Sequence, residues 1–349
     1  MHFVGIDVHS RSSCVEILNE NGTLFKRFEI KGRLPDLIRR VTEEAPRPFI
    51  VGYEASCGYG FLYDALAKVA AQVQVAHPGH LRLIFRSKKK TDRVDASKIA
   101  KLLFLGELPR IHVPSLRVRQ WRGLLEFRHR KVHRMVSVKN QIRALLRGLA
   151  IDPPKFKLWS KPGMAWFKEV PMESLDAMRR GELITELRAQ IRGIKRVDAT
   201  LLEIAGDKPE IKLLMTIPGV GIHTSMAVMA YVDDVRRFSS VSQVSSYFGL
   251  TPREDSSGGK KRLGRISKDG PSTVRKMLVE AAWMGIRHSA TIRDYYRKVR
   301  KDDPQRRKKA VVAVANHLLR VMTAMLRSGQ SWQENPAAVK EKAEPPATK

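Results

Sequence analysis

Residues 3–7 read FVGID, residues 48–54 read PFIVGYE and residues 90–103 read KTDRVDASKIAKLL. The first two are short apolar runs that each end on an acid, Asp7 and Glu54, as strands that deliver a carboxylate at their ends. In the third, Asp92 and Asp95 are three apart at the start of a helical pattern carried by Val94, Ile99, Leu102 and Leu103, which stacks both acids on one helix face. Between these runs, SCVEILNENGTLFKRFEI reads as two strands turning at Asn21-Gly22, LPDLIRRVTEE as a helix opened by Pro35, and QVQVAH as a strand closed by Pro78. The order β-β-β-α-β-α-β-α joins a meander to crossover helices, and the expected fold is a mixed sheet flanked by helices.

Acids gathered in this way stand out because the chain is strongly basic. It has 349 residues with 65 Lys plus Arg against 35 Asp plus Glu, a net charge of +30. Such an excess favours polyphosphate partners and counterion release. Four converging carboxylates repel one another unless cations neutralise them. Two Mg²⁺ ions do so with oxygen ligands and can also bridge a scissile phosphate. Each acid alone has a plainer reading: Asp7 as a turn residue after a strand, Asp92 and Asp95 as dipole-favoured acids at a helix start. Two cysteines, Cys14 and Cys57, are too few for a disulfide framework or a four-thiolate zinc site. No apolar run is taken as long enough to span a bilayer, and no signal pattern opens the chain, so a soluble, cytoplasmic, nucleoid-associated protein with no membrane partner is expected.

Beyond residue 112 the composition changes. Residues 117–147 hold ten Lys or Arg, Arg128, Arg130, Lys131 and Arg134 among them, and a single acid, Glu126. Apolar residues from Leu124 to Leu149 repeat at helical spacing, and a second helix is expected from Glu173 to Ala205 beyond a Pro-, Lys- and Trp-containing connector. The pair reads as an antiparallel hairpin or an oligomerising coiled coil. Its cations read as a nucleic-acid contact or as a solvated face. His129 and His133 share zinc spacing, but no further Cys or His nearby completes a set, and the pair reads as a phosphate contact or as solvent-exposed. Trp121, Trp159 and Trp166 read as base-stacking or packing residues. Further on, IPGVGIHTS (217–225) has the form of a helix-hairpin-helix turn, in which Gly219 and Gly221 either admit a phosphate or pack two helices. The loop SSGGKKRLGRISK (256–268) combines hydroxyls and glycines with Lys260, Lys261, Arg262, Arg265 and Lys268.

GID at 5–7, YEASCGYG at 53–60 and KTDRVDASKIAKLL at 90–103 resemble the insertion-sequence transposases of the DEDD type. That group includes Piv-like DNA invertases and members guided by a structured bridge RNA. IPGVG at 217–221 and YFGLTPREDSSGGKKRLGRISKDG at 247–270 are similar to the C-terminal transposase domain of the same family. The resemblance implies a RuvC-like RNase H fold with Asp7, Glu54, Asp92 and Asp95 as metal ligands, and a serine nucleophile before glycine at Ser257, with Ser256 adjacent. It also implies double-stranded DNA and a noncoding RNA as partners.

The expected organisation is α/β plus all-α: a catalytic domain at 1–112, a basic helical and coiled-coil oligomerisation region at 113–206, a C-terminal transposase domain at 207–328 and a tail at 329–349 that its Ala, Pro, Lys and Glu content marks as disordered. A homodimer or tetramer is expected. Competing readings are a junction nuclease that uses water in place of serine, a binding protein whose acids are structural, and an actin-like ATPase read from VGIDVHS. The last lacks a second phosphate turn.

Overall fold

β1 (His2–Val8), β2 (Ser12–Leu18) and β3 (Leu24–Lys31) form an antiparallel meander, to which β4 (Phe49–Glu54) and β5 (Gln72–Ala76) add in parallel, giving the order β3-β2-β1-β4-β5. This is a computed structural model; it describes residues 1–56, 58–84, 92–155, 157–206, 208–254 and 262–335, with Asp92 and Arg93 by backbone alone. The chain divides into two units, Met1–Leu116 and Arg117–Lys349.

In the first unit α1 (Leu34–Glu44) and α2 (Tyr59–Leu66) cover one face of the sheet. Their Leu37, Val41, Leu62 and Leu66 are buried against Val4, Ile6, Val15, Ile17, Val51 and Tyr53. α3 (Pro78–Ile84) and α4 (Asp92–Phe104) supply the other face, where Leu81, Ile99, Leu102 and Leu103 form a second apolar layer with Phe3 and Ile50. The sheet is thus buried on both sides, which explains the near-continuous apolar runs of β1 and β4.

Two local expectations change. Pro78 closes β5 but also opens α3, capped by His77, whose Nδ1 accepts from the backbone N–H of Gly79 at 3.1 Å and of His80 at 3.3 Å. The β2–β3 turn is organised by Asn19, not Asn21: its Oδ1 accepts from the N–H groups of Asn21 and Thr23, both at 3.0 Å, and Gly22 takes the left-handed conformation.

The second unit opens with α5 (Leu116–Gly148), followed by α6 (Lys161–Glu169) within the expected connector, and α7 (Ser174–Gly206). α5 and α7 run antiparallel. Arg128 meets Asp198, Lys131 fills the space over Gly193, and Leu145 and Leu146 share an apolar cluster with Ile184 and Leu187. Phe167 of α6 is fully buried in that cluster, held by the Ser160 cap of its helix.

Beyond it come α8 (Pro209–Met215), α9 (Ile222–Val232), α10 (Val241–Tyr247), the hairpin of β6 (Pro252–Glu254) and β7 (Leu263–Ile266), then α11 (Ser272–His288), α12 (Ala290–Arg300) and α13 (Arg307–Ser328). Val314, Leu318, Leu319 and Met322 of α13 lie at the centre of a core that also takes in Leu125 of α5 and Leu201 of α7. One end of the α5–α7 pair therefore belongs to the C-terminal core, while its other end keeps the separate cluster around Phe167. The stretch Pro304–Ser328 is, by length and composition, apolar enough to cross a membrane, contrary to the reading of the sequence, and half of its apolar window is buried inside this unit.

Candidate active site

β1 and β4 pair in parallel, with Gly5 opposite Gly52 and Ile6 opposite Tyr53. One step further along each strand stand Asp7 and Glu54, so the two acids occupy neighbouring positions at the carboxyl end of the sheet's centre. Side chains alternate along a strand, which puts Asp7 on the face of Phe3 and Gly5, opposite the buried Val4 and Ile6. α4 covers that face. A Cβ on Gly5 would lie 2.3 Å from the backbone N of Ala100 and 2.4 Å from the carbonyl of Ala96, and one on Gly52 would lie 2.7 Å from a methyl of Leu103. Glycine at 5 lets the helix backbone settle on β1, and glycine at 52 makes room for the Leu103 side chain on β4.

The direction of α4 follows from the same contacts. Phe104, at its end, packs edge-on against Phe3 near the start of β1, with ring centroids 5.5 Å apart, whereas Ala96 lies over Gly5. The helix therefore runs antiparallel to β1, and its first turn, with Asp92 and Asp95, arrives at the carboxyl end where Asp7 and Glu54 stand. All four acids are directed to one end of the first unit by backbone placement. His9 Nε2 lies 3.2 Å from Asp7 Oδ2, and Lys98 Nζ reaches Asp95 Oδ1 at 3.3 Å.

In the second unit the expected nucleic-acid residues separate. Arg130 and Arg134 are exposed one turn apart on α5, and Arg262, Arg265 and Lys268 are exposed on and beside the β6–β7 hairpin. Arg128 is turned inward: its Nε donates to Asp198 Oδ1 at 2.5 Å, and His223 Nε2 lies 2.8 Å from the same oxygen. Burial pushes the Asp198 carboxyl up, but the Arg128 and His223 contacts outweigh it and hold the group below its usual range. Lys131 lies against Phe127 and over Gly193. Gly219 has φ +90°, and a Cβ there would lie 2.4 Å from the backbone N of Gly285 in α11, so packing is the role seen for it. Gly221 opens α9 with nothing within 4 Å of its Cβ position. Trp121, Trp159 and Trp166 all pack against the apolar clusters of this unit. Ser256, Ser257, Gly258, Lys260 and Lys261 lie outside the described residues.

Residues 4–151 match the DEDD_Tnp_IS110 family, described as transposase, and residues 211–297 match the family described as Transposase IS116/IS110/IS902. The chain belongs to the IS110 family of DEDD transposases. It is 27% identical over 291 residues to the transposase for insertion sequence element IS1111A of Coxiella burnetii, covering 80% of this chain and 78% of that one. A probable family 20 transposase of Pseudomonas aeruginosa is 26% identical over 332 residues, 92% of each chain. The transposase for insertion sequence element IS1328 of Yersinia enterocolitica is 26% identical over 290 residues, 80% of this chain and 82% of that one.

Membership brings to this transposase the general properties of its family: DNA binding, DNA cleavage and the use of divalent metal. The donor set fits such an ion, because all four residues are hard oxygen donors directed to one end of the sheet. Among the described residues, no three His, Cys, Asp or Glu side chains already close around one point. The Gly5–Gly52 pair is the signal that reading acids alone misses. VGID and VGYE each place glycine two residues before the acid, and the shared spacing marks two strands covered by one helix.

Proposed function

We propose that this transposase is a recombinase that cuts and exchanges DNA strands of an insertion sequence through a serine-linked intermediate, with Mg²⁺ held by Asp7, Glu54, Asp92 and Asp95. The observation that carries this reading is the seating of α4 on Gly5 and Gly52, which directs the Asp92 and Asp95 turn to the strand ends bearing Asp7 and Glu54. Two such ions would neutralise the acids and stabilise the charge that develops on attacking and leaving oxygens. Asp7, Glu54, Asp92 and Asp95 then orient a phosphodiester, and His9, beside Asp7, is placed to hold a proton or fix that carboxylate.

Ser257 supplies the nucleophile. Its Oγ forms a bond to phosphorus as the hydroxyl proton departs, and the bond from phosphorus to one sugar oxygen breaks, that oxygen leaving with a proton. The phosphoserine keeps the phosphoester bond count constant, so rejoining to a new strand needs no external energy. Arg130, Arg134, Arg262, Arg265 and Lys268, together with Lys260 and Lys261, gather phosphates without reading sequence. Sequence choice falls to a structured noncoding RNA paired with the DNA, and the α5–α7 hairpin joins subunits into a dimer or tetramer, since exchange between two duplexes requires more than one active site.

The test is strand cleavage by the purified protein with its co-purified RNA and a DNA carrying the element's ends. Ser257→Ala is expected to abolish both cleavage and a protein–DNA adduct that survives denaturation. Asp7→Asn should abolish both while leaving DNA binding in place. Cleavage retained by Ser257→Ala, without an adduct, would instead establish water as the nucleophile; loss of the adduct from Ser256→Ala alone would move the role to Ser256.

A further inference from the structure

Lys276 of α11 holds its Nζ 3.5 Å from His129 Nε2 and 3.4 Å from His133 Nε2, two imidazoles one turn apart on α5 whose ring centroids are 4.5 Å apart. The three line a groove of about 470 Å³ between α5, α9 and α11, and His223 enters it from α9. Lys276 and His133 are exposed, so the cluster faces solvent.

The charges around this groove are close to balanced. Its fixed cations are Arg128 from α5 and Lys276 from α11; Asp198 from α7 and Glu280 from α11 oppose them. Glu126 of α5 adds a further carboxylate behind the wall, accepting from Tyr231 at 3.1 Å and Thr273 at 3.0 Å. The three histidines therefore decide the sign of the groove. Burial, then His133 and Lys276, hold His129 below the usual imidazole range. Burial and Arg128 do the same to His223 against the pull of Asp198. Both effects favour the neutral forms of His129 and His223, and an entering anion would favour the protonated forms.

The groove does not end at Lys276. Lys276 and Glu280 also border a second hollow, of about 460 Å³, lined by Leu250, Ile266, Lys268 and Arg275 at the base of the β6–β7 hairpin. Two consecutive hollows sharing one exposed ammonium suit the repeated phosphates of a polymer better than a single free anion. With the chain at +30, a nucleic-acid strand is the matching partner.

We propose that Lys276, His129 and His133 form a phosphodiester-binding site that guides a nucleic-acid strand along α11 toward the β6–β7 hairpin and takes up protons from solution as the strand binds. The site rests on the reading of this transposase as a nucleic-acid recombinase, and it adds contacts outside the basic face of α5 and the hairpin loop.

The test is fluorescence anisotropy of a labelled single strand and a labelled duplex with the full-length protein, from about pH 5.5 to about pH 8 and over a range of salt. Wild-type affinity is expected to rise as pH falls, and Lys276→Gln should lower the salt slope by about one. The pair His129→Asn with His133→Asn should flatten the pH dependence. Imidazole NMR of the wild-type protein provides a readout free of substitutions: adding the strand should raise the titration midpoint of His129 and displace the ring resonances of His133, and inorganic phosphate at equal phosphate concentration should do neither. Variants that keep the wild-type salt slope and pH profile, or histidines that ignore the strand, would overturn the site while leaving nucleic-acid binding intact. Inorganic phosphate shifting the histidines as far as the strand does would overturn the choice of a polymer. Wild-type protein that binds no nucleic acid at all would sink the recombinase reading itself.

Discussion

Gly5→Ala adds one methyl group at the point where β1 and α4 meet. The new carbon would begin 2.3 Å from the backbone N of Ala100 and 2.4 Å from the carbonyl of Ala96. Both are backbone atoms in the interior of a helix, so no side-chain rotation relieves the contact. Restoring ordinary separation of about 3.5 Å requires α4 to lift by roughly 1 Å. Overpacking of this kind costs about 1–3 kcal/mol. The lift also carries the Asp92 and Asp95 turn away from Asp7 and Glu54, and a misplacement of about 1 Å at a catalytic site lowers rate by about 10²-fold. Urea unfolding measures the first effect and single-turnover DNA cleavage the second. Gly123→Ala, in α5 where nothing lies within 4 Å of the added carbon, is the matched control, expected to be neutral or to stabilise by about 0.5–1 kcal/mol. If Gly5→Ala kept the wild-type urea midpoint and cleavage rate, α4 would not be seated on β1 and the placement of the acids would fail with it.

Acid should weaken the fold before it titrates carboxylates. Burial is the leading cause holding His129, His223 and His317 below the usual imidazole value of 6.5, so between that value and their lowered ones the unfolded chain binds more protons. Stability is therefore expected to be full above the ordinary imidazole range and to decline as pH falls below it; a melting temperature that rose on moderate acidification of the nucleic-acid-free protein would contradict this. The Arg128 and His223 contacts hold Asp198 below the ordinary carboxylate range, so its own contribution is lost only in a lower window. Asp198→Ala leaves Arg128 and His223 without their shared acceptor in a partly buried setting, at a cost of about 1–3 kcal/mol, measurable as a lower urea midpoint. An unchanged midpoint would mean that water replaces the carboxylate at no cost.

The sequence states its periodicities plainly, and most long elements could be read from them. β1, β4, α5 and α7 fall close to where alternation or helical spacing puts them, because each buries a regular apolar face. α3, α6 and α12 were not read out. α3 is seven residues long and begins at a proline that also ends a strand, and α6 sits in a segment whose lysines, prolines and tryptophans read as a connector. α12 sets Ile292, Tyr295, Tyr296 and Val299 at helical spacing between Arg293, Asp294, Arg297, Lys298 and Arg300, a short amphipathic stripe that the sequence does carry and that its density of charge obscures. The site divides along similar lines. Acids at strand ends are visible one segment at a time, but the inward turn of Arg128 depends on Asp198, a partner 70 residues away. Charge can be counted along a chain; its pairing cannot. The Lys276 cluster was hidden for the same reason, since His129 lies 147 residues from the lysine that it meets.

What fixes the acids together is the position of β1 in the sheet. β1 pairs antiparallel with β2 on one side and parallel with β4 on the other, so its carboxyl end coincides with that of β4 and with the opening of the β1–β2 turn. The turn leaves one side of that end open, and His9 projects from it toward Asp7. Were β1 at an edge, Asp7 would have no parallel neighbour to bring a second acid level with it. Were β4 antiparallel, Glu54 would emerge at the opposite end of the sheet. Parallel pairing demands a crossover, here through α1, and the antiparallel meander accounts for the exposed outer strand β3. The remaining degree of freedom is the direction of α4, and the glycines settle it. Helix backbone approaches β1 over Gly5 and the Leu103 side chain fills the space over Gly52, while Phe104 anchors the far end on Phe3. With one end anchored and the middle seated, the first turn has one place to go, which is the end of the sheet that carries Asp7 and Glu54.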